Sequence, residues 1–344
     1  MQMRCLRRAS LAILVALAST KRCIPSRLTG AVFATLMVFV VMAGAEDYPS
    51  RPIRVVVASA AGGGADTGAR LAAEALGRVL HKPVFVENRG GGGGLQATEA
   101  YLAGEPDGYT ILLGAVGSLT IIPAMKRVSY DAEKDFVPLG IVWRSGQVLT
   151  VRSASGAGSL ARFIAHAKAR PATLTVGSAG IGTLTHLTLE LLKREAAIDV
   201  IHIPFRGAGE ALPAIIGGQI DALISDVNVI APHVNAGTVR ALAVAGAQRE
   251  PALPDVPTMG EAGLPGVIGE IWFGYVVSAK TPPAIVKRLQ DALAATRDDP
   301  DYREKLARQH VIVGEPGPDA LARLIKTETA KWRAVVSAAG LQSN

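Results

Sequence analysis

Ile53-Arg54-Val55-Val56-Val57-Ala58-Ser59-Ala60-Ala61-Gly62-Gly63-Gly64-Ala65-Asp66-Thr67 runs from an apolar stretch through a glycine turn into the start of an amphipathic pattern. Read in that order it is a strand over Ile53–Val57, a loop, and a helix over Asp66–Leu80. Glycines between a strand end and a helix start let the backbone approach a ligand closely. The unpaired N–H groups and the dipole of the helix then favour an anion. Asp66 has two readings, as a cap for the first helical amides or as a grip on a ligand N–H or O–H. Dinucleotide binding fails here, because the third glycine of G-x-G-x-x-G falls on Thr67. No Gly-Lys-Ser/Thr follows either, which excludes a P-loop.

Outward from this stretch the same alternation recurs, the mark of α/β layers around parallel strands. Strands are predicted at Val84–Glu87, Thr110–Leu113, Val137–Val142 and Gln147–Val151, with a helix at Leu95–Ala103. A second set follows, with strands at Leu174–Val176, Val200–Ile203, Asp221–Ser225, Arg240–Val244 and Ile271–Ser278. Its helices are Leu160–Ala169, Thr183–Glu195 and Glu210–Gly217, and the tail is helical over Pro283–Arg297, Pro300–Gln309 and Pro318–Ala338. The stretch from Glu250 to Gly269 is rich in Pro and Gly and reads as a surface connection. With aromatics at 5%, the cores must be built from Val, Ile, Leu and Ala.

The second set carries its own glycine turn, Ser178-Ala179-Gly180-Ile181-Gly182-Thr183, ahead of a helix holding His186. A nucleophile elbow does not fit, since Gly177 directly precedes Ser178. His186 has no carboxylate that the sequence assigns to orient it, so a hydrogen-bonded core histidine is favoured over a general base. A third turn, Phe205-Arg206-Gly207, offers an arginine able to pair with a carboxylate, against the alternative of a solvated one. Asp226 ends a further strand and could line the same cleft or cap the helix up to Asn235. Glu87-Asn88-Arg89 and the five glycines after it read as structural, seating a helix start against the sheet. The six histidines show no metal-like spacing, so no metal site is expected.

Charge and the leader bound the compartment. Six of the 36 basic residues lie before residue 46 and none of the 29 acidic ones does, so the formal charge of +7 belongs to the leader. The remainder is nearly neutral, which leaves no case for nucleic-acid binding. Lys21, Arg22 and Arg27 precede an apolar run from Ala31 to Ala43, and Ala43-Gly44-Ala45 has the small-x-small form of a cleavage site. Residues 1–45 are therefore expected to be an export signal. A second apolar run, Leu11 to Ala18, follows Arg7-Arg8, and for that doubling a start codon assigned too far upstream is favoured over a weak twin-arginine signal. Both cysteines, Cys5 and Cys23, fall in this segment, so the mature chain has no disulfide and no thiolate chemistry.

Taken together these segments resemble the tripartite tricarboxylate transporter receptors, also called Bug proteins, over nearly the whole mature chain. The resemblance is carried by Tyr48-Pro49-Ser50-Arg51-Pro52-Ile53, Gly62-Gly63 through Asp66 with Ala69-Arg70, and Val86-Glu87-Asn88-Arg89. Pro106-Asp107-Gly108-Tyr109-Thr110 and Tyr130-Asp131 with Asp135-Phe136 follow. The second half adds Ser178, Gly180, Gly182-Thr183, His186-Leu187, His202-Ile203-Pro204 with Gly207, and Arg240-Ala241-Leu242-Ala243-Val244. Pro254-Asp255-Val256-Pro257-Thr258, Glu261-Ala262-Gly263 and Trp272 complete it.

It implies a type II periplasmic-binding-protein fold, two Rossmann-like lobes joined by two crossover strands with the ligand cleft between them. Lobe 1 would span 46–149 and 272–344, and lobe 2 would span 150–271. The implied function is an extracytoplasmic receptor capturing a small carboxylate for a membrane permease, as a monomer, with no catalysis and no cofactor. A ligand-dependent sensory partner is the alternative, and a periplasmic enzyme a third. Contacts would come from Ala60, Gly62, Gly63, Asp66 and Ser118, from Ser178, Gly182, Thr183 and His186, and from Phe205, Arg206, Gly207 and Asp226. Three departures bear on the ligand: Ala60-Ala61 where the family has Pro-Pro, Gly90 where it has Pro, and Phe205-Arg206-Gly207 where it has Tyr-Lys-Gly.

Overall fold

A computed structural model describes residues 48–342 apart from Ala60 and Gly63, so the expected export signal and both cysteines lie outside the described residues. The first strand, β1 (Ile53–Val57), is buried at four of its five positions, as expected for a strand covered on both faces. It pairs in parallel with β2 (Val84–Asn88) and with β3 (Thr110–Ala115). Helices α1 (Gly64–Leu80) and α2 (Leu95–Leu102) connect these strands. After β3 a helical turn over Gly117–Ile121 runs into the short α3 (Ile122–Met125).

β4 (Phe136–Arg152) is one strand of 17 residues, where the sequence predicted two. The polar run Arg144-Ser145-Gly146 looked like a break. In the fold Arg144 is paired with Glu270 and Ser145 is buried, so the strand continues through them. Up to Gly146 its partner is β9 (Glu270–Ser278), which also pairs antiparallel with β3. From Gln147 onward its partners are β7 (Ala222–Asp226) and β8 (Val239–Val244), so β4 changes sheets between residues 146 and 147.

The second half repeats the plan of the first. β5 (Thr175–Ser178) lies parallel between β6 (Ile201–Pro204) and β7. Helices α4 (Leu160–Ala169), α5 (Leu184–Ala196), α6 (Ala208–Ile216) and α7 (Val227–Asn235) cover it. The strand order is β2-β1-β3-β9-β4-β7-β5-β6, with β8 also on β4. Each half is thus three parallel strands flanked by an antiparallel strand, and β4 and β9 are the crossing strands. This is the two-lobed binding-protein architecture that the sequence led us to expect.

The tail supplies α8 (Pro283–Arg297), α9 (Pro300–Arg308), a two-residue strand β10 (Ile312–Val313) on β4, and α10 (Pro318–Ala338). Helix α10 packs on both halves. Trp332 is fully buried in a cluster that includes Leu112 of β3 and Leu187 of α5, and Lys331 donates to the Ile268 carbonyl just ahead of β9. Val, Ile, Leu and Ala fill most of the core, but Trp272, Trp332, Tyr275 and Tyr302 are its largest fully buried members. The few aromatics are therefore concentrated inside.

Candidate functional site

Every candidate turn sits at the carboxyl end of a strand from the parallel sets: Gly62–Asp66 after β1, Ser118 after β3, Ser178–His186 after β5, Phe205–Gly207 after β6, and Asp226 at the end of β7. That is where open α/β sheets present loops to a ligand. The two halves also touch there. A Cβ placed on Gly182 would run into the Met125 side chain at the end of α3, and one on Gly64 would stand 3.4 Å from Asn228 Nδ2 in the first turn of α7. Within the first half, Gly94, the N-cap of α2, has no room for a Cβ between Ala58 and Ser118, so this helix start sits close against the ends of β1 and β3.

The first turn is closed by a carboxylate. Gly62 has φ +84, a conformation glycine adopts without strain, and its N–H donates to Asp66 Oδ2 at 2.8 Å. Asp66 Oδ1 lies 3.0 Å from Arg70 Nη2 one turn along α1, and Arg70 also donates to Asn88 Oδ1 at 3.2 Å. Asp66 is 5% exposed. Burial alone pushes its carboxyl up, but the Gly62 N–H together with Arg70 and Asn88 more than offsets this and holds it below the usual range. Asp66 therefore stays ionised and reaches back to the turn. Ala60 and Gly63 lie outside the described residues.

The second turn is closed by an imidazole. Gly182 has φ +75, and its N–H donates to His186 Nδ1 at 3.1 Å. Around it, Ala179 N–H donates to Thr185 Oγ1, Gly180 N–H to Ser178 Oγ, and Thr183 Oγ1 to the Gly180 carbonyl. Thr183 is also the N-cap of α5, accepting from the His186 amide. Gly62 and Gly182 N–H, which the sequence offered to a ligand, are both used inside their own turns.

His202 on β6 is the residue that the sequence reading missed as a site member. Its Nε2 lies 2.6 Å from Ser178 Oγ, and its ring stacks on His186 with centroids 4.0 Å apart and 8° between planes. Burial drives the His202 pKa down to about 4, and the neighbouring His186 adds to this; burial also lowers His186. Both rings are therefore neutral near pH 7. Glu190 Oε1 lies 3.8 Å from His186 Nε2, so the carboxylate that the sequence could not assign does exist. With Ser178 fully buried, this cluster braces a loop and exposes no nucleophile. Nothing local in β6 marks His202, because its partners come from β5 and α5.

Phe205 and Arg206 complete the second half's wall. Phe205 N–H donates to the Ser178 carbonyl at 3.0 Å, which ties this loop to the β5 turn, while Arg206 N–H donates to Glu210 and Gly207 stands as N-cap of α6. Ser118 is buried, its Oγ bonded to Ala115 and its carbonyl accepting from Tyr130. Asp226, at the N-cap position of α7, accepts from Gln147 Nε2 at 3.0 Å. A cavity of about 390 Å³ elsewhere on the first half is lined by Arg51, Arg54, Arg89, Phe85 and Tyr109 and by none of the candidate residues. Each of its arginines is already paired with Asp107 or Glu87. Among the described residues no group of acids and histidines has metal-binding geometry.

Residues 68–341 match the model of the tripartite tricarboxylate transporter family receptor. The chain belongs to that family. It is similar to the protein BugT of Bordetella pertussis, 32% identical over 319 residues that cover 89% of this chain and 97% of BugT. The MatC structure from Rhodopseudomonas palustris with bound malate is 33% identical, with TM-score 0.71 over 84% of this chain and 100% of MatC. A second R. palustris structure, with adipate, is 30% identical, with TM-score 0.74 over 86% of this chain and 99% of that one. Members of this receptor family are periplasmic solute-binding proteins, so the Bug-type resemblance read from the motifs is confirmed.

Proposed function

We propose that the chain is exported by its N-terminal segment and captures a small dicarboxylate or related acid in the periplasm. It then delivers this solute, as a monomer, to the permease subunits of a tripartite tricarboxylate-type transporter, and it catalyses nothing. The lobes are those drawn from the sequence, 46–149 with 272–344 and 150–271, and the ligand contacts are the residues gathered at the turns. The observation that carries this reading is that a glycine turn from each half packs against the opposite half at the carboxyl ends of the strands, Gly182 against Met125 at the end of α3 and Gly64 against Asn228 in the first turn of α7. Malate and adipate in the two similar structures support an acid as the solute.

Physically the site is a clamp. Helices α1, α5, α6 and α7 begin at these turns, so their amides and dipoles favour a carboxylate over a neutral group. Charge-assisted hydrogen bonds contribute about 1.5–3 kcal/mol each, and roughly four of them outweigh association costs to give micromolar binding. Calorimetry against a panel of dicarboxylates and their diamides tests this. Acids should bind and the matched diamides should not; a panel in which no acid binds rejects the receptor assignment.

A further inference from the structure

The inference rests on the reading above and concerns how the second half selects among acids. Asp226 occupies the N-cap position of α7 but its side chain caps none of that helix's amides. It bonds instead to Gln147, which is 1% exposed and is the first residue of β4 after the strand changes sheets. The other atom of that amide, Gln147 Oε1, is buried with no hydrogen-bond partner among the described residues. Oxygen and nitrogen share one carbon, so this orphan acceptor also lies beside Asp226, at the helix end whose first turn reaches Gly64 of the opposite half through Asn228.

As they stand, the carboxylate and the amide oxygen are both acceptors, a poor lining for an anion. Leaving Oε1 buried and unmade costs about 1–3 kcal/mol. One rearrangement removes both defects. If Asp226 holds a proton, its O–H can donate to Oε1 once the amide has turned over, and Nε2 becomes free to donate to a solute. Burial already raises the Asp226 carboxyl above the usual range, with the Gln147 bond opposing. Its hydrogen-bond partner is Gln147 from β4, and Asn228 follows two residues on in the first turn of α7.

We propose that Gln147 and Asp226 work as a proton-linked reader of the solute's second carboxylate. Binding of a dianion draws one proton from the solvent onto an Asp226 oxygen, and Gln147 Nε2 then donates to the solute. No other bond forms or breaks.

Calorimetry with malate, adipate and their monoamides, run in two buffers of different ionisation enthalpy, counts the protons taken up. Uptake approaching one proton per dicarboxylate is expected, with affinity falling by up to about tenfold per pH unit above the Asp226 titration. Asp226→Asn should abolish the uptake. Gln147→Met, which leaves the α7 cap position untouched, should lose the preference for dicarboxylate over monoamide. Acids that bind with no proton uptake, uptake that persists in Asp226→Asn, or a preference unchanged in Gln147→Met overturn this inference and leave the receptor reading standing. Failure of every acid to bind overturns both.

Discussion

The turns after β1 and after β5 solve one problem with different chemistry. In each, a glycine with positive φ donates its N–H to a side chain four residues on, Gly62 to Asp66 and Gly182 to His186. The first acceptor is an ionised carboxylate braced by Arg70. The second is a neutral imidazole stacked on His202 and surrounded by Ser178, Thr183 and Thr185. The first half thus relies on one strong charged tie, and the second on several weak neutral ones. A turn held by one tie fails when that tie is cut. A turn held by many loosens by degrees, and it is pH that reaches all of its imidazoles at once.

The largest effect should follow from Asp66→Ala. It leaves the Gly62 N–H without its charged acceptor and Arg70 with Asn88 alone, at a cost of about 2–3 kcal/mol in stability or ligand affinity. Thermal melts and calorimetry would show it, and an effect no larger than that of Thr185→Val would break the asymmetry between the turns.

The second effect is pH dependence, and its sign differs between the second turn and the point where β4 changes sheets. The folded pKa of His202 is about 4, against 6.5 unfolded, so between these values the unfolded chain holds the extra proton. Its contribution, on the order of 2 kcal/mol, is complete above pH 6.5 and lost as pH falls towards 4. Glu250 behaves oppositely. It is 1% exposed, accepts from the Gly146 N–H where β4 changes sheets, and its Oε2 has no hydrogen-bond partner among the described residues. Burial, with Glu270 adding to it, raises its pKa to about 7 against the Gly146 bond and Arg144. Its contribution is complete below about pH 4.5 and lost as pH rises through 7. The two slopes oppose over most of this range, so in denaturant titrations from pH 4 to 8 His202→Asn should make the limb between about pH 4.5 and 7 fall as pH rises, and Glu250→Gln should make the limb between about 4 and 6.5 climb. Unchanged limbs would remove both groups from the account.

Gly182→Ala should cost about 1–2 kcal/mol, from a strained positive φ and from contact with Met125 across the halves. If closure brings that contact about, ligand affinity should fall more than thermal stability does. Thr185→Val should be smallest, at about 1 kcal/mol, because it removes one tie of several.

The glycine turns and most strands were legible because an apolar run ending in glycine, followed by a 3.6-residue pattern, is a local signal. The continuity of β4 was not. Arg144-Ser145-Gly146 looks like a turn until Glu270, 126 residues away, supplies the charge partner and Glu250, 104 residues away, holds the Gly146 amide. The same limit hid the partners of site residues. Asp226 was visible as a strand-end acid, but its bond to Gln147 spans 79 residues, and the stacking of His186 on His202 depends on β5 and β6 lying side by side. A chain pattern reveals where a backbone turns; it does not reveal which side chains the turn brings together.

A crystal structure of the chain grown with a bound dicarboxylate tests the central claim most directly. The account predicts the solute between the Gly62–Asp66 turn and the Ser178–His186 turn, with Gly62 still bonded to Asp66 and Gly182 to His186. Solute seated instead in the arginine-lined cavity beside Phe85 and Tyr109, with the turns unoccupied, would contradict it.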